Sequence, residues 1–166
     1  VSIPRIMGLC SVFSRLCSLS TEMPHTSTIT QKVVACSRKA ASATRSLRFA
    51  APVTHVSRPL DHARAPHEAY LKRFARHRVS SLFLGMNPGP WGMSQTGVPF
   101  GEVGAVRSFL ELEGKVVSPK DAHPNRPIQG FSCTKSEVSG RRFWGLMQER
   151  FGTADAFAAS HFVWNW

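Results

Sequence analysis

The residues best suited to chemistry lie in the stretch Gly85–Gly101, GMNPGPWGMSQTGVPFG, which holds five glycines, three prolines and no charge. Glycine and proline shape a loop through backbone geometry, and such a loop can bring main-chain N–H groups to a flat or anionic ligand. Glycines and prolines alone would indicate an ordinary surface loop. Four large apolar side chains are interleaved with them, however: Met86, Trp91, Met93 and Phe100. This composition favours a pocket lining.

Two predicted elements hold this loop in place. Residues 79–84 (VSSLFL) form a short apolar run that indicates a buried strand. Residues 103–113 place Val106, Phe109 and Leu110 on one face of a helix that ends at Gly114. Loops that leave strand ends are where α/β folds place their sites, and the N-terminus of a following helix directs free amide donors back towards the loop.

The remaining elements surround this strand–loop–helix unit. A helix is predicted from about 66 to 77, with Tyr70, Leu71 and Phe74 on its apolar face. Residues 115–138 are rich in Pro, Ser and Lys and predict a long irregular excursion, which in a compact domain is more often functional than idle.

Beyond this excursion the periodicity predicts a helix, then a short helix, then a second strand. Ser139 is predicted to cap a helix that ends at Gly152, because apolar residues recur at helical spacing between them. These residues are Phe143, Leu146, Met147 and Phe151. A short helix over 154–159 precedes HFVWNW (161–166), which starts like a second buried strand.

Length and charge narrow the class of protein. At 166 residues, with 42% hydrophobic residues, the chain can form one domain with a core, and no apolar run approaches the ~20 residues of a membrane helix. Residues 1–60 carry eight Lys/Arg against one acid, whereas residues 61–166 carry thirteen against nine. The moderately basic second part suits a nucleic-acid partner held by phosphate contacts.

The first 59 residues are predicted to be a disordered basic head. They are rich in Ser and Arg, poor in acids and without sustained periodicity, so we expect either a disordered tail or a mitochondrial presequence. Order is expected to begin near Asp61. The four cysteines, Cys10, Cys17, Cys36 and Cys133, lack metal-ligand spacing, so we expect reduced thiols, no metal and no cofactor.

Residues 82–103 (LFLGMNPGPWGMSQTGVPFGEV) resemble the active-site segment of the single-strand-selective monofunctional uracil-DNA glycosylases. HPNRPIQG (123–130), SEVSGRRFWG (136–145) and FVWN (162–165) resemble the same family in the same order. The resemblance covers about residues 60–166. It implies an α/β fold, a three-layer α/β/α sandwich with a short central parallel sheet. It also implies hydrolysis of the N-glycosidic bond of a base flipped out of DNA.

The resemblance also implies roles for particular residues. Asn87 would orient the attacking water, and Asn165 would read uracil through its amide. Phe100 would stack on the base, while backbone groups of Met86, Gly89 and Met93 would surround it. Without the resemblance, Asn87 before Pro88 would indicate only a turn, Asn165 would be an ordinary strand-end residue and Phe100 would be core.

Two features of the family have no counterpart in this sequence. The family carries a His-Pro-Ser loop, whose histidine stabilises the negative charge on the departing uracil, and a wedge that enters the duplex. Because neither is found here, we interpret residues 60–166 as the N-terminal part of a uracil-DNA glycosylase domain, incomplete at the C-terminus. We expect the 166-residue chain to be weakly active or inactive.

The resemblance therefore implies a nuclear DNA-repair hydrolase, and we expect a monomer without cofactor or membrane contact. The predicted substrates are uracil and oxidised pyrimidines such as 5-hydroxymethyluracil, in single- and double-stranded DNA. Two alternatives remain open. One is a non-catalytic relic that binds DNA or an abasic site, and the other is a mitochondrial location directed by the basic head.

Overall fold

The computed structural model describes residues 28–76 and 78–165. These residues form an α/β arrangement of helices around two paired strands. The helices are α1 (Ile29–Arg45), α2 (Pro59–His62), α3 (Arg64–Phe74), α4 (Met93–Thr96), α5 (Val103–Ser108), α6 (Val138–Phe151) and α7 (Ala154–Ala158). The strands are β1 (Ser81–Gly85) and β2 (His161–Asn165), and a 3₁₀ turn lies at Gly130–Ser132.

The two strands are parallel and pair in a register that runs from Ser81 opposite His161 to Gly85 opposite Asn165. Their carboxyl ends therefore lie side by side, so the loop that begins after β1 starts next to the last residue of β2. Tyr70 of α3 fixes β2 from one face, because its buried hydroxyl donates a hydrogen bond of 2.8 Å to the Val163 carbonyl. An α/β fold with a parallel pair is thereby confirmed.

Both strands were predicted to be buried, and for β1 this is wrong. Phe83 points inward and packs on the core, whereas Leu82 and Leu84 are 60% and 56% exposed on the opposite face. Neighbouring side chains of a strand point to opposite faces. Within the described residues, only the inner face of β1 is covered by helices and β2 is its one sheet partner.

The core lies between α3, α5, α6, α7 and the inner face of the strands. Its largest fully buried side chains include Tyr70, Leu110 and Trp144. Phe143 makes edge-to-face contacts with Phe83 at 5.2 Å and with Trp144 at 4.9 Å between ring centroids. Aromatic pairs of this geometry add packing energy beyond the area that they bury. This cluster holds α6 firmly against the strands.

Helix α6 differs from its prediction at its start and in its buried face. Glu137 is its N-cap residue and makes no side-chain cap hydrogen bond, while Ser139 lies inside the first turn. The buried positions are Gly140, Trp144 and Met147, and the predicted core residue Leu146 is 55% exposed. The apolar residues of this helix are spread around its axis, so periodicity alone did not select the face that packs.

Two other helices have different limits from those predicted. Helix α3 ends at Phe74 rather than near residue 77, and α5 ends at Ser108 rather than at 113. Phe109 and Leu110 nevertheless stay buried, and the chain turns at Glu111, whose φ is +52°. The segment predicted to be irregular, 115–138, is so from 115 to 137 apart from the 3₁₀ turn, and residue 138 begins α6.

The prediction of a disordered head is corrected for residues 28–45. Thr28 and Gln31 form a capping box, in which each side chain bonds to the other residue's backbone N–H, and α1 follows directly. The buried positions Val34, Ser37 and Ala41 recur at i, i+3 and i+7. This spacing is that of one helix face, but Ser37 is polar and Ala41 is small. The sequence therefore showed no apolar periodicity here. Residues 1–27 lie outside the described residues.

Helix α1 packs against α3 through charge as well as burial. Arg38 donates two hydrogen bonds of 2.7 Å to the two carboxylate oxygens of Glu68. This bidentate contact is the main reason that the pKa of the Glu68 carboxyl lies below its ordinary value.

None of the helices in the described part of the chain has the length and apolar character that a membrane span requires.

Candidate active site

The carboxyl ends of the strands, the loop after β1 and the start of α6 surround a cavity of about 360 Å³. The residues that line it are Gly85, Met86, Asn87, Gly89, Pro90, Phe100, Glu137, Ser139 and Asn165. All the predicted site residues except Met93 are among them. Two distant parts of the sequence meet here because the parallel register sets Gly85 beside Asn165.

Met93 and Trp91, which were predicted to line a pocket, instead support the loop from beneath. Met93 is 5% exposed, and its sulfur lies 3.1 Å from Asn165 Nδ2. Trp91 packs on the core and carries the Lys135 ammonium over its ring, 4.2 Å from the centroid. Met86 is 84% exposed at the cavity rim. Only part of the apolar composition of the loop therefore faces the cavity.

Asn165 presents an unpaired hydrogen-bond acceptor at the base of the cavity. Its Oδ1 is buried and has no hydrogen-bond partner in the described parts of the chain. A Cβ atom on Gly85 would collide with this oxygen and would lie 3.2 Å from Phe100 Cε2, so residue 85 must be glycine for the three to meet. Buried polar atoms are nearly always satisfied in native proteins. The free oxygen therefore indicates a place for an external donor.

Phe100 forms a wall of the same cavity in a constrained backbone conformation. Its φ is +52°, which is uncommon for a residue other than glycine. The ring stacks on Phe143 with 4.9 Å between centroids and an angle of 22°. Its carbonyl accepts a hydrogen bond of 2.8 Å from the Glu102 N–H. The ring is thus fixed from behind and stays half-buried at the cavity.

Gln95 ties the loop to the irregular excursion and is fully buried. Its Nε2 donates to the carbonyls of Pro90, at 2.8 Å, and Pro127, at 3.0 Å. Its Oε1 accepts from the backbone N–H groups of Gln129, at 2.8 Å, and Gly130, at 3.1 Å. The amide therefore uses both donors and both acceptor sites. In this way the excursion contributes support for the loop.

Two buried histidines hold the other side of the loop. His62 Nε2 lies 2.7 Å from the Ser94 carbonyl. His67 Nδ1 lies 2.8 Å from the Gly97 carbonyl, and its Nε2 lies 2.8 Å from Ser37 Oγ on α1. Burial is the main reason that the pKa of each imidazole lies below its ordinary value. A neutral His67 satisfies both contacts by donating to Gly97 and accepting from Ser37.

These histidines predict a loss of stability at acid pH. The pKa of His67 is lower in the folded than in the unfolded chain, so the unfolded state binds more protons as the pH falls below about 6.5. The free energy of unfolding should therefore decrease from pH 7.5 to pH 5.5 and level off below the folded-state pKa. Replacing His67 by glutamine should make this decrease smaller, with His62 accounting for part of the remainder.

Urea unfolding at the two pH values, followed by tryptophan fluorescence, measures this dependence. His123, which lies outside the contacts that hold the loop, provides the matched control. His123→Gln should keep the decrease seen in the unsubstituted chain. An undiminished decrease in His67→Gln would show that the buried imidazole is not its source.

Two lining residues, Glu137 and Ser139, were not predicted as site residues. Ser139 Oγ donates a hydrogen bond of 2.8 Å to Glu137 Oε1. Glu137 is the one charged side chain among the lining residues. The SEVSG motif lay in the region of resemblance, but a glutamate before a helix ordinarily indicates a cap. No sequence signal distinguished it from one.

Comparison with known proteins supports the resemblance, although no family model matches the chain. It is 49% identical over 119 residues to the single-strand selective monofunctional uracil-DNA glycosylase of Rattus norvegicus, and 48% identical to the protein of that name from Mus musculus. Each match covers 72% of this chain and 43% of the relative. The Bos taurus protein is 48% identical over 121 residues. The chain thus spans less than half the length of these relatives.

Proposed function

We propose that this chain, which is related by sequence to the single-strand-selective monofunctional uracil-DNA glycosylases, carries the base pocket of a DNA-repair enzyme. The reaction is hydrolysis of the N-glycosidic bond between uracil and deoxyribose. The proposal includes the finer fold of that class, a three-layer α/β/α sandwich to which the described strands and helices would contribute. Because the chain spans less than half of its relatives, activity and substrate both belong to the proposal.

The observation that carries the proposal is the buried, unpaired Oδ1 of Asn165 beside the ring of Phe100. Uracil presents a donor at N3–H next to an acceptor at O4. The Asn165 amide offers the complementary acceptor and donor, while Phe100 offers a flat surface for stacking. Cytosine presents the opposite pattern at this edge, so its binding would leave buried groups unsatisfied. These features of the cavity support its proposed role as a uracil site.

The exposed side chain of Asn87 lines the same cavity and is proposed to orient the water that attacks C1′ of the sugar. An amide is a weak base, so it would act by positioning the water rather than by removing its proton. The sugar becomes cation-like as the base departs. Most of the acceleration would then come from positioning and from stabilising charge.

The substrate range and location are also proposals. The open rim at Met86 leaves room beyond the base, which suits 5-hydroxymethyluracil and other oxidised pyrimidines. The basic composition suits both single- and double-stranded DNA as partners. We propose a monomeric protein in the nucleus, with the mitochondrion as the alternative suggested by the basic head.

A second candidate function is binding without catalysis. None of the residues that line the cavity in the described chain is a lysine, arginine or histidine. A departing uracil anion therefore meets no cationic donor in this wall, and the loss of one such group costs roughly 10²–10³ in rate. This observation favours a chain that recognises uracil or an abasic site in DNA and releases the base slowly or not at all.

A glycosylase assay combined with DNA binding separates the two candidates. The chain, in excess, is incubated with a single-stranded oligonucleotide that contains one uracil, and alkali-labile abasic sites are measured over time. Base release above that of an Asn87→Ala variant supports the enzyme. Selective binding without release supports the second candidate. Equal affinity for uracil-containing and unmodified DNA, together with no base release, would contradict both.

Replacing Asn165 by aspartate tests base recognition directly. The carboxylate keeps the acceptor but loses the Nδ2 donor, so it can no longer donate to uracil O4. Affinity for a single-stranded oligonucleotide with one 2′-fluoro-2′-deoxyuridine, whose glycosidic bond resists hydrolysis, should fall by about 10–100-fold. Fluorescence anisotropy measures this affinity.

The exposed Asn125 supplies the control, since Asn125→Asp introduces the same charge outside the cavity. It should change the affinity by less than about threefold. A similar loss in both variants would mean that the added charge weakens DNA binding in general. In that event Asn165 would have no demonstrated role in reading the base.

A further inference from the structure

We infer that Glu137 is a catalytic residue of this site, whose carboxylate stabilises the positive charge that develops on the deoxyribose. The inference rests on the proposed function and extends it to the N-cap residue of α6. It assigns the charge-stabilising task to a group separate from Asn87, which only orients the water. Three observations carry it: the position of the carboxylate, its free oxygen and the absence of a cationic partner.

Glu137 occupies a capping position but does not cap its helix. An acidic residue at the N-cap ordinarily accepts a hydrogen bond from a backbone N–H of the first turn. Here the side chain accepts none from α6. Instead Oε1 accepts from Ser139 Oγ at 2.8 Å, and Oε2 is buried without a hydrogen-bond partner in residues 28–76 and 78–165. The carboxylate is held through one oxygen and leaves the other unused.

The loop is shaped to admit this carboxylate. A Cβ atom on Gly89 would lie 2.5 Å from the Glu137 Cδ atom, and one on Gly92 would lie 2.6 Å from it. Any larger residue at either position would therefore displace the glutamate. Gly89 and Gly92 thus leave space for the carboxylate of Glu137, and Gly89 is two residues beyond Asn87. The carboxylate and the water-orienting amide line the same cavity.

The carboxylate of Glu137 is held by a hydroxyl group and not by a cation. Other acids of the structure, including Asp61, Glu68 and Asp155, lie within ion-pair distance of an arginine. Among the described residues, Glu137 makes no such pair. A bare carboxylate beside a DNA site repels phosphates and weakens binding of the substrate in its ground state. The same charge becomes favourable when a cation forms in front of it, because interactions that strengthen only in the transition state accelerate the reaction.

The proposed reaction is the hydrolysis of the glycosidic bond. The bond between C1′ and the base nitrogen breaks, and its electron pair leaves with the base as an anion. The positive charge left on C1′ and the ring oxygen is stabilised by Glu137 through space, without a covalent bond. Water held by Asn87 then adds to C1′ and releases a proton to solvent. The glutamate is unchanged at the end.

The test compares binding of two abasic-site analogues in otherwise identical single-stranded oligonucleotides. One carries a pyrrolidine, which is cationic and resembles the charged sugar, and the other carries a neutral tetrahydrofuran. The unsubstituted chain should bind the pyrrolidine DNA at least about tenfold more tightly at low salt. Glu137→Gln keeps the size of the side chain, and it should lose this preference while its affinity for the tetrahydrofuran DNA stays the same or rises.

Glu149→Gln is the matched control, because Glu149 is exposed on α6 and its substitution removes the same charge. It should retain the full preference. The inference is overturned if the unsubstituted chain does not distinguish the analogues, or if Glu137→Gln still prefers the pyrrolidine. It is also overturned if Glu137→Gln binds both analogues equally less well and unfolds at a lower urea concentration, which would indicate a structural role.

Failure of the proposed function gives a different result. In that case the unsubstituted chain binds both analogues no better than unmodified DNA of the same length. The unsubstituted chain could instead bind both abasic analogues equally well and more tightly than unmodified DNA. That result would support the DNA-repair site and contradict only the role of Glu137. The binding assay does not depend on turnover, so it applies whether the chain releases uracil quickly or slowly.

Discussion

Replacing Asn87 by alanine is expected to lower the rate of uracil release by roughly 10²–10³-fold, the usual effect of removing one positioned polar group from an active site. The Asn87 side chain is exposed at the cavity and, in the proposed mechanism, orients the attacking water. Its loss leaves the pocket walls intact, because Phe100 is held by Phe143 and the loop by Gln95. Affinity for the substrate should therefore change little.

Single-turnover kinetics measure this effect, with the protein in excess over a uracil-containing single-stranded oligonucleotide. Anisotropy with the hydrolysis-resistant 2′-fluoro oligonucleotide gives the affinity separately. Asn125→Ala is the matched control, since it removes the same side chain from the exposed excursion, and it should release uracil at the rate of the unsubstituted chain. If Asn87→Ala loses binding and release in equal proportion, its role is to bind the substrate and not to orient water.

The centre of the site could be predicted because an apolar run followed by a loop rich in glycine and proline is easy to recognise in a sequence. The apolar run before Gly85 predicted β1, and the HFVWN run predicted β2. Parallel strands bring their carboxyl ends together, so Asn87 and Asn165 line the same cavity. The roles of these residues stay predictions until the substitutions above are measured.

The polar scaffold of the site could not be predicted in the same way. Gln95, His67 and Ser37 are buried polar residues, and each looks like a surface residue when only its type is considered. Their burial is stable because hydrogen bonds between distant segments satisfy them, such as the contact of His67 with Ser37 on α1. Pairing of this kind has no sequence periodicity. For the same reason α1 was missed, and Glu137 was not predicted as a site residue.

The scaffold makes Gln95 a position where one substitution should strongly destabilise the fold. Replacing it by leucine keeps a similar volume but removes all four hydrogen bonds of the amide. The carbonyls of Pro90 and Pro127 and the N–H groups of Gln129 and Gly130 would then lack their partner. A fully buried group left unsatisfied costs about 1–3 kcal/mol, but three of these four hydrogen bonds are only partly buried. The free energy of unfolding should therefore fall by about 3–4 kcal/mol.

Urea unfolding monitored by tryptophan fluorescence measures this loss as a lower midpoint at an unchanged slope. Gln148→Leu makes the same exchange at an exposed position of α6 and should alter the free energy by less than about 0.5 kcal/mol. A loss below about 1 kcal/mol for Gln95→Leu would mean that water or a local shift satisfies the four groups. The loop would then be anchored mainly by its apolar contacts.

Gln95→Glu separates the contribution of the donors from that of the acceptor. The carboxylate still accepts from the N–H groups of Gln129 and Gly130, but it turns an acceptor towards the carbonyls of Pro90 and Pro127. Repulsion there should displace the segment that carries Pro90, which is also a wall of the cavity. We therefore expect this variant to lose selective binding of uracil-containing DNA even where it remains folded. Retained selectivity would show that the pocket does not depend on the attachment of the loop to the excursion.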